Sequence, residues 1–420
     1  MKIEKYTMGV GDRFAHQGKA QLQAFIEAKA RGINVVPVWN KSNREHKTVH
    51  SEPQSVRAEA DEAVASLKWD GPYHVDADHI QLATVDPFLG GSDFFTIDVA
   101  DAIGERANDS DLQAFVDRHG NLTGEISIPG IDTPLSITKS DIESIAAKFL
   151  LAVQTAGKVH RHIVAKKGED ACIFEVSIDE TDQPQTPVDM LVILAAIADE
   201  GIPVQTIAPK FTGRFNKGVD YKGNVEQFTR EFEQDLAVIS FAVREFGLPD
   251  TLKLSVHSGS DKFSIYEPIR KAIRKFDAGL HIKTAGTTWL EELIGLAESG
   301  EDGLTFAKEV YTTALGRFDE LCAPYAAVID VDKNELPSAE TVEGWSGRQY
   351  VNALRHIPDS PEFNAGFRQM LHVAYKVAAE MGDRYTDALE RNRDTISANV
   401  THNILERHLL PVFAGAAGGS

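Results

Sequence analysis

Cysteine is almost missing from this chain. The two it has, Cys172 and Cys322, sit in strand-like and helix-like apolar settings at a spacing that fits no zinc pattern, so buried free thiols are expected in place of a disulfide framework. No uninterrupted apolar run reaches the ~18 residues of a membrane-crossing helix. The opening MKIEKYTMGVGDRF also lacks the apolar centre of a secretion signal. A cytoplasmic protein with no membrane partner is expected. Positive charge is scarce: 43 Lys and Arg face 63 Asp and Glu, a formal net charge of −20. A surface of that sign repels a phosphate backbone and argues against nucleic acid as a partner, while a local group of cations can still hold a small anion. Internal repeats are absent. GVGDRF is no nucleotide fingerprint either, because it lacks the third glycine and its helix starts several residues late,.

What is present is alternation. At 420 residues and 42% hydrophobic, the chain can hold one large barrel with additions or about two to three ordinary domains. GVGDRF ends a short strand, and KAQLQAFIEAKARG follows as an amphipathic helix. INVVPVWNKSN is a β-branched run of the kind buried on both faces. SEPQSVRAEADEAVASLKW reads as a helix with Ser51 at its N-cap, and YHVDADHI as a third strand. Residues 84–150, which include FFTIDVADAIG, interrupt the pattern and read as an insertion or lid. After residue 170 the strands CIFEVSIDE, IPVQTIAP, LKLSVHSG and LHIKTAG alternate with helices. That makes seven strands, with YAAVIDV as the candidate eighth. The expected fold is an α/β (β/α)8 barrel over 1–302, with a mostly helical part over 303–414 packed on it and GAAGGS (415–420) as a flexible tail,. A doubly wound sheet is the alternative.

Reactive groups in such folds gather where strands end and loops begin. There His257, Ser258, Asp261 and Lys262 would lie beside His281, Lys283 and Thr284. HVDADHI puts His74, Asp76 and Asp78 on one strand face and His79 on the other if the strand stays regular. FEVSIDE aligns Glu175, Ser177 and Asp179, with Glu180 just beyond. Acids at the end of a buried strand are costly without a partner. A divalent cation held by histidines and a carboxylate would supply one, and that donor set suits zinc, manganese, nickel or iron better than magnesium or calcium. APKFTGRFNKG carries Lys210, Arg214 and Lys217 in a Gly-containing loop suited to a carboxylate or phosphate. Arg13 and Lys262 are candidates for the same duty.

The blocks GVGDRF, VDADHI with TVDPF, SDFFTIDVADAIG, EVSIDETDQPQTPVD, APKFTGRFNKGVDY, VHSGSDKFSIY and HIKTAGTTWLEEL run in order over about 8–295. Together they resemble the tagaturonate epimerase family, bacterial enzymes that interconvert tagaturonate and fructuronate at C4. The resemblance implies a metal-dependent epimerase on a barrel core, acting on a sugar acid, and from the donor set zinc, manganese or nickel is the expected ion. A homo-oligomer stays open. On these combined grounds Asp179, His257 and His281 are expected as metal ligands, with His79 as a fourth. Asp76, Asp78 or Glu180 would supply the acid and base, with Asp261 orienting them. Arg13, Lys210, Arg214, Lys262 and Lys283 are the pool for clamping the substrate carboxylate, with Ser258 beside them. A metal-dependent ketose isomerase or aldolase is the alternative within enzymes, and a sugar-acid binding protein without turnover the alternative outside them.

Overall fold

The apolar runs become strands because each is buried on both sides, by helices outside and by barrel filling inside. In the computed structural model, which describes residues 1–414, they are β1 (Tyr6–Val10), β2 (Val36–Ser42), β3 (His74–Ile80) and β4 (Phe94–Asp98). A small antiparallel hairpin of β5 (Gly124–Ile126) and β6 (Leu135–Ile137) comes next, then β7 (Ile173–Ser177), β8 (Val204–Ala208), β9 (Lys253–Val256) and β10 (Leu280–Ile282). All but the hairpin are parallel and close into an eight-stranded barrel in the order β1-β2-β3-β4-β7-β8-β9-β10, with β10 returning to β1. The fold is therefore the expected α/β barrel with a helical C-terminal region. The GAAGGS tail lies outside the described residues.

The eighth strand is not where the sequence pattern put it. YAAVIDV (325–331) starts at the last residue of a 3-10 turn, Ala323–Tyr325, and continues as a loop, whereas Phe94–Asp98 pairs with both β3 and β7. The link from β3 to β4 holds only a 3-10 turn, Asp86–Phe88, and no crossover helix. Without that helix the strand has no helical period before it, and on sequence alone its run FFTID reads as part of an insertion. The elaboration that does exist lies between β4 and β7. It carries the helix Asp109–Arg118 and the hairpin, and it leads into the 29-residue helix Lys139–Lys167, capped by Thr138. Ser51 does not cap the helix Gln54–Leu67, whose N-cap is Pro53. The Ser51 hydroxyl instead pairs with Nδ1 of His46 at 2.8 Å.

The barrel is filled in layers. Ile3 closes the N-terminal end with Val38, Phe94 and Ile173 as an apolar plug. One layer up the filling turns polar with Thr7, Thr96, Glu175, Thr206, Ser255 and His281, every one buried. The C-terminal helices pack across the other end. Trp289 Nε1 donates to the Leu371 carbonyl at 2.7 Å, and the Tyr385 hydroxyl donates to Glu292 at 2.8 Å. Cys172 and Cys322 are free and buried. Among the described residues no helix is long and apolar enough to cross a membrane.

Candidate active site

Strand β3 should have turned His79 away from the barrel, yet the structure brings it in. The register with β4 shifts between Ala77 and Ile80, and His79 adopts a left-handed φ of 52°. This local irregularity re-aims the imidazole into the mouth, as bulges beside active sites commonly do. There it meets Asp179, two residues past the end of β7, and His257, the residue after β9. Ligand-type atoms of His79, Asp179 and His257 lie within 4.8 Å of one another, and the two rings stand edge to face with centroids 5.0 Å apart.

The hydrogen bonds around this triad fit a cation. Nδ1 of His79 is held by Asp78 at 2.7 Å, which leaves its other ring nitrogen for the triad. Nε2 of His257 is held by Glu175 at 2.8 Å, while its Nδ1 sits 3.3 Å from Asp179 and has no hydrogen-bond partner. Asp179 is itself fixed by the Ser177 hydroxyl at 2.6 Å. Each imidazole thus has its outer nitrogen on its own carboxylate and its inner one facing a third carboxylate, the pattern that orients histidine as a metal ligand. Two nitrogens and an oxygen make up the donor set of a catalytic zinc-type site with positions left open.

Below the triad lies a cation among acids. The Lys283 ammonium contacts Asp76 and the Thr96 hydroxyl directly, with Asp78 at 3.3 Å and Glu175 at 3.4 Å. Burial opposes charge on every one of these groups, and the outcome depends on neighbours. Lys283 is nonetheless held well above the ordinary lysine value by Asp76, Glu175 and Asp78. Glu175 is held well below its usual range, since Lys283 and His257 outweigh burial, and Asp78 likewise, since His79 and Lys283 do. Asp76 is the exception: burial, with Asp78 and Glu175 beside it, raises it to about 6 despite Lys283. Asp179 and Glu175 overcome burial to lift His257 to about 10, and Asp78 raises His79 above the ordinary imidazole value. Four carboxylates converge here, and Lys283 with the two raised imidazoles are the groups the protein sets against them. A dication in the triad would balance the same charge with the imidazoles neutral.

The other expected residues lie elsewhere. His281 is fully buried one layer lower, with Nδ1 against the Thr7 hydroxyl at 2.8 Å, and it is not part of the triad. Glu180 is exposed at the strand end. Asp261 is buried against Arg368 at 2.7 Å and His356 at 3.3 Å, on the side of the C-terminal helices. Lys262 is buried with its ammonium on the carbonyls of Asn216, Val219 and Ser260. Arg13 pairs with Glu45 at 3.2 Å and lies over the Tyr375 ring. Arg214 is an outer residue 3.4 Å from Asp330. Lys210 is partly buried, and its backbone N–H donates to Gln185 at 2.7 Å. Ser258, left-handed at φ 50°, accepts from the Lys217 ammonium at 3.0 Å. Glu175 carries more of the site than the strand pattern alone assigned to it. The signal was its place two residues before Ser177 and four before Asp179 on a strand buried throughout.

A closed parallel barrel whose polar interior opens on two imidazoles and a carboxylate at the carboxyl ends of its strands has the architecture of a barrel enzyme. The chain belongs to the tagaturonate epimerase family, UxaE, whose family model matches residues 1–410. It is 25% identical over 421 residues to the tagaturonate/fructuronate epimerase of Thermotoga maritima, covering 96% of this chain and 80% of that protein. Among solved structures it is similar to the fructuronate-tagaturonate epimerase UxaE of Cohnella laeviribosi. The glycerol-complexed form gives a TM-score of 0.80 at 22% identity, over 98% of this chain and 82% of that one. The native form gives 0.78 at 23%, with the same coverage. These structures share the fold.

Proposed function

We propose that this protein interconverts tagaturonate and fructuronate by inverting C4 and that it needs a divalent metal ion held by His79, Asp179 and His257. The observation that carries the reading is the pair of carboxylate–imidazole contacts, Asp78 to His79 and Glu175 to His257, which turn both rings toward Asp179. The family and the Thermotoga relative support the substrate.

C4 lies two bonds from the C2 ketone, so its C–H is not acidic and inversion calls for bond cleavage. In a retro-aldol step the O4–H proton passes to a carboxylate and the C3–C4 bond breaks. Its electron pair moves into the C2 carbonyl and leaves an enediolate with a C4 aldehyde. The aldehyde turns its other face, C3–C4 re-forms and O4 recovers a proton. A bound ion would supply Lewis-acid polarisation of the ketone oxygen. Asp78, 3.3 Å from the Lys283 ammonium and on the ring of His79, is the strand-end carboxylate beside the triad that can take this proton. Asp76, raised to about 6, titrates just below neutral pH and sits against Lys283, whose ammonium also lies 3.3 Å from Asp78 and holds the two carboxylates together,.

The test is proton NMR of the protein with tagaturonate, comparing metal-stripped protein with protein given zinc, manganese or nickel. Fructuronate is expected only with metal. Conversion at the full rate after stripping would overturn the metal, and no conversion with any of the three ions would overturn the reaction.

A further inference from the structure

The sugar acid of the proposed reaction carries a carboxylate, and most cations expected to meet it are committed. Arg13 faces Glu45, Arg214 faces Asp330, Lys262 spends its protons on backbone carbonyls, and Lys283 sits among three acids. Lys217 differs. Among the described residues it has no ion-pair partner, and its ammonium rests only on Ser258, the neighbour of His257.

Its loop is held rigidly around it. The Asn216 and Val219 carbonyls accept from Lys262 at 2.9 and 2.7 Å, and the Gly218 carbonyl accepts from Arg368 Nε at 2.5 Å. The Lys217 N–H donates to the Val328 carbonyl at 2.8 Å. Gly218 adopts φ 71°, a turn that suits glycine, and so sends the chain back under Arg368,. Two buried cations thus fix the backbone around Lys217 and leave its ammonium on Ser258, without a direct ion pair and with Asp78 and Asp179 among the charges that act on it. A fixed loop with one unpaired ammonium is a pre-organised carboxylate site.

We propose that Lys217 binds the substrate carboxylate, with Ser258 as its hydroxyl companion, and so selects sugar acids over uncharged ketoses. The assignment rests on the epimerase reading above. It also makes Asp261 and Lys262 positioning residues, since Asp261 fixes Arg368, and Arg368 and Lys262 fix the loop. Lys210 is the alternative, since no ion pair holds it among the described residues, but its ammonium makes no polar contact there, whereas that of Lys217 touches the residue next to His257.

The experiment measures tagaturonate kinetics, metal content and melting temperature for the wild type, Lys217→Met, Lys217→Arg and Lys210→Met. Loss of one charge-assisted hydrogen bond predicts that Lys217→Met lowers kcat/KM by about 10- to 100-fold. Lys217→Arg should stay within about fivefold of wild type, and metal content should not change, because Lys217 touches no triad residue. A merely structural lysine would not be rescued by arginine in this way. Wild-type turnover with Lys217→Met unchanged, with Lys217→Arg as damaged as Lys217→Met, or with the loss falling on Lys210→Met would overturn the assignment alone. A wild type that leaves tagaturonate untouched would overturn the epimerase reading and this assignment with it.

Discussion

Glu175→Gln isolates what orients the triad. The substitution keeps size and shape, so the fully buried position gains no cavity, and the amide oxygen can still accept from Nε2 of His257. What leaves is a negative charge 2.8 Å from that ring and 3.4 Å from Lys283. Carboxylates that back a metal-bound histidine are worth about 10- to 100-fold in metal affinity, or about 1.4–2.8 kcal/mol. Competition with a coloured chelator, titrating zinc into wild type and Glu175→Gln at the same pH, should show a dissociation constant weaker by that factor. Glu180→Gln is the contrast, because its carboxylate is exposed and makes no hydrogen bond or ion pair with the triad among the described residues. It should leave metal affinity alone. Zinc affinity within about twofold of wild type in Glu175→Gln would refute the claim that Glu175 sets His257 as a ligand.

His281→Asn should keep its metal while His257→Asn loses it, as read by elemental analysis of the purified variants, since His257 belongs to the triad and His281, with Nδ1 on Thr7 at 2.8 Å, lies outside it. Arg368→Ala should lower stability in chemical denaturation by about 3–5 kcal/mol, because it removes the guanidinium 2.7 Å from the fully buried Asp261 and leaves that charge to His356 and His408 alone,. Glu291 is buried, which raises it to about 6 from an ordinary 4.5. An acid raised in the folded state costs stability as pH climbs from 4.5 through 6, by about 2 kcal/mol once fully ionised. Glu291→Gln should therefore be more stable than wild type at pH 8 and indistinguishable at pH 4. The unpartnered Oδ1 of Asn403, whose amide already meets Glu291 at 2.7 Å, is ready for the new donor.

Seven barrel strands were legible because each is a short apolar run that ends in polar residues and is followed or preceded by a helical period. Phe94–Asp98 has the same composition, but its link from β3 carries no helix, and a pattern that relies on alternation passes over it. Asp179 and His257 could be placed at the mouth because they follow closely on the carboxyl ends of β7 and β9, where an apolar run gives way to polar residues. His79 and His281 were ranked the other way round from their distances to the triad, and both reasons are backbone ones. Alternation along β3 turns His79 outward, and only the shift after Ala77 with a left-handed residue returns it. In β10, His281 is level with Thr7 and Ser255, two residues short of the depth that Lys283 reaches. Depth within a barrel depends on the stagger of its strands, which no single strand encodes. Arg368 was out of reach for a different cause. It comes to Asp261 from 107 residues further along, and no local pattern announces such a pairing.

That separation has a consequence for how the molecule comes into being. His408 meets Asp261 from 147 residues beyond it, at a point where all eight strands have long since been made. During synthesis the barrel can close while the loop that bears Ser258 and the one that bears Lys217 are still without the arginine and histidines that fasten them. The ribosome must deliver nearly the whole chain before this mouth can set, so a nascent barrel would be folded well before it is competent.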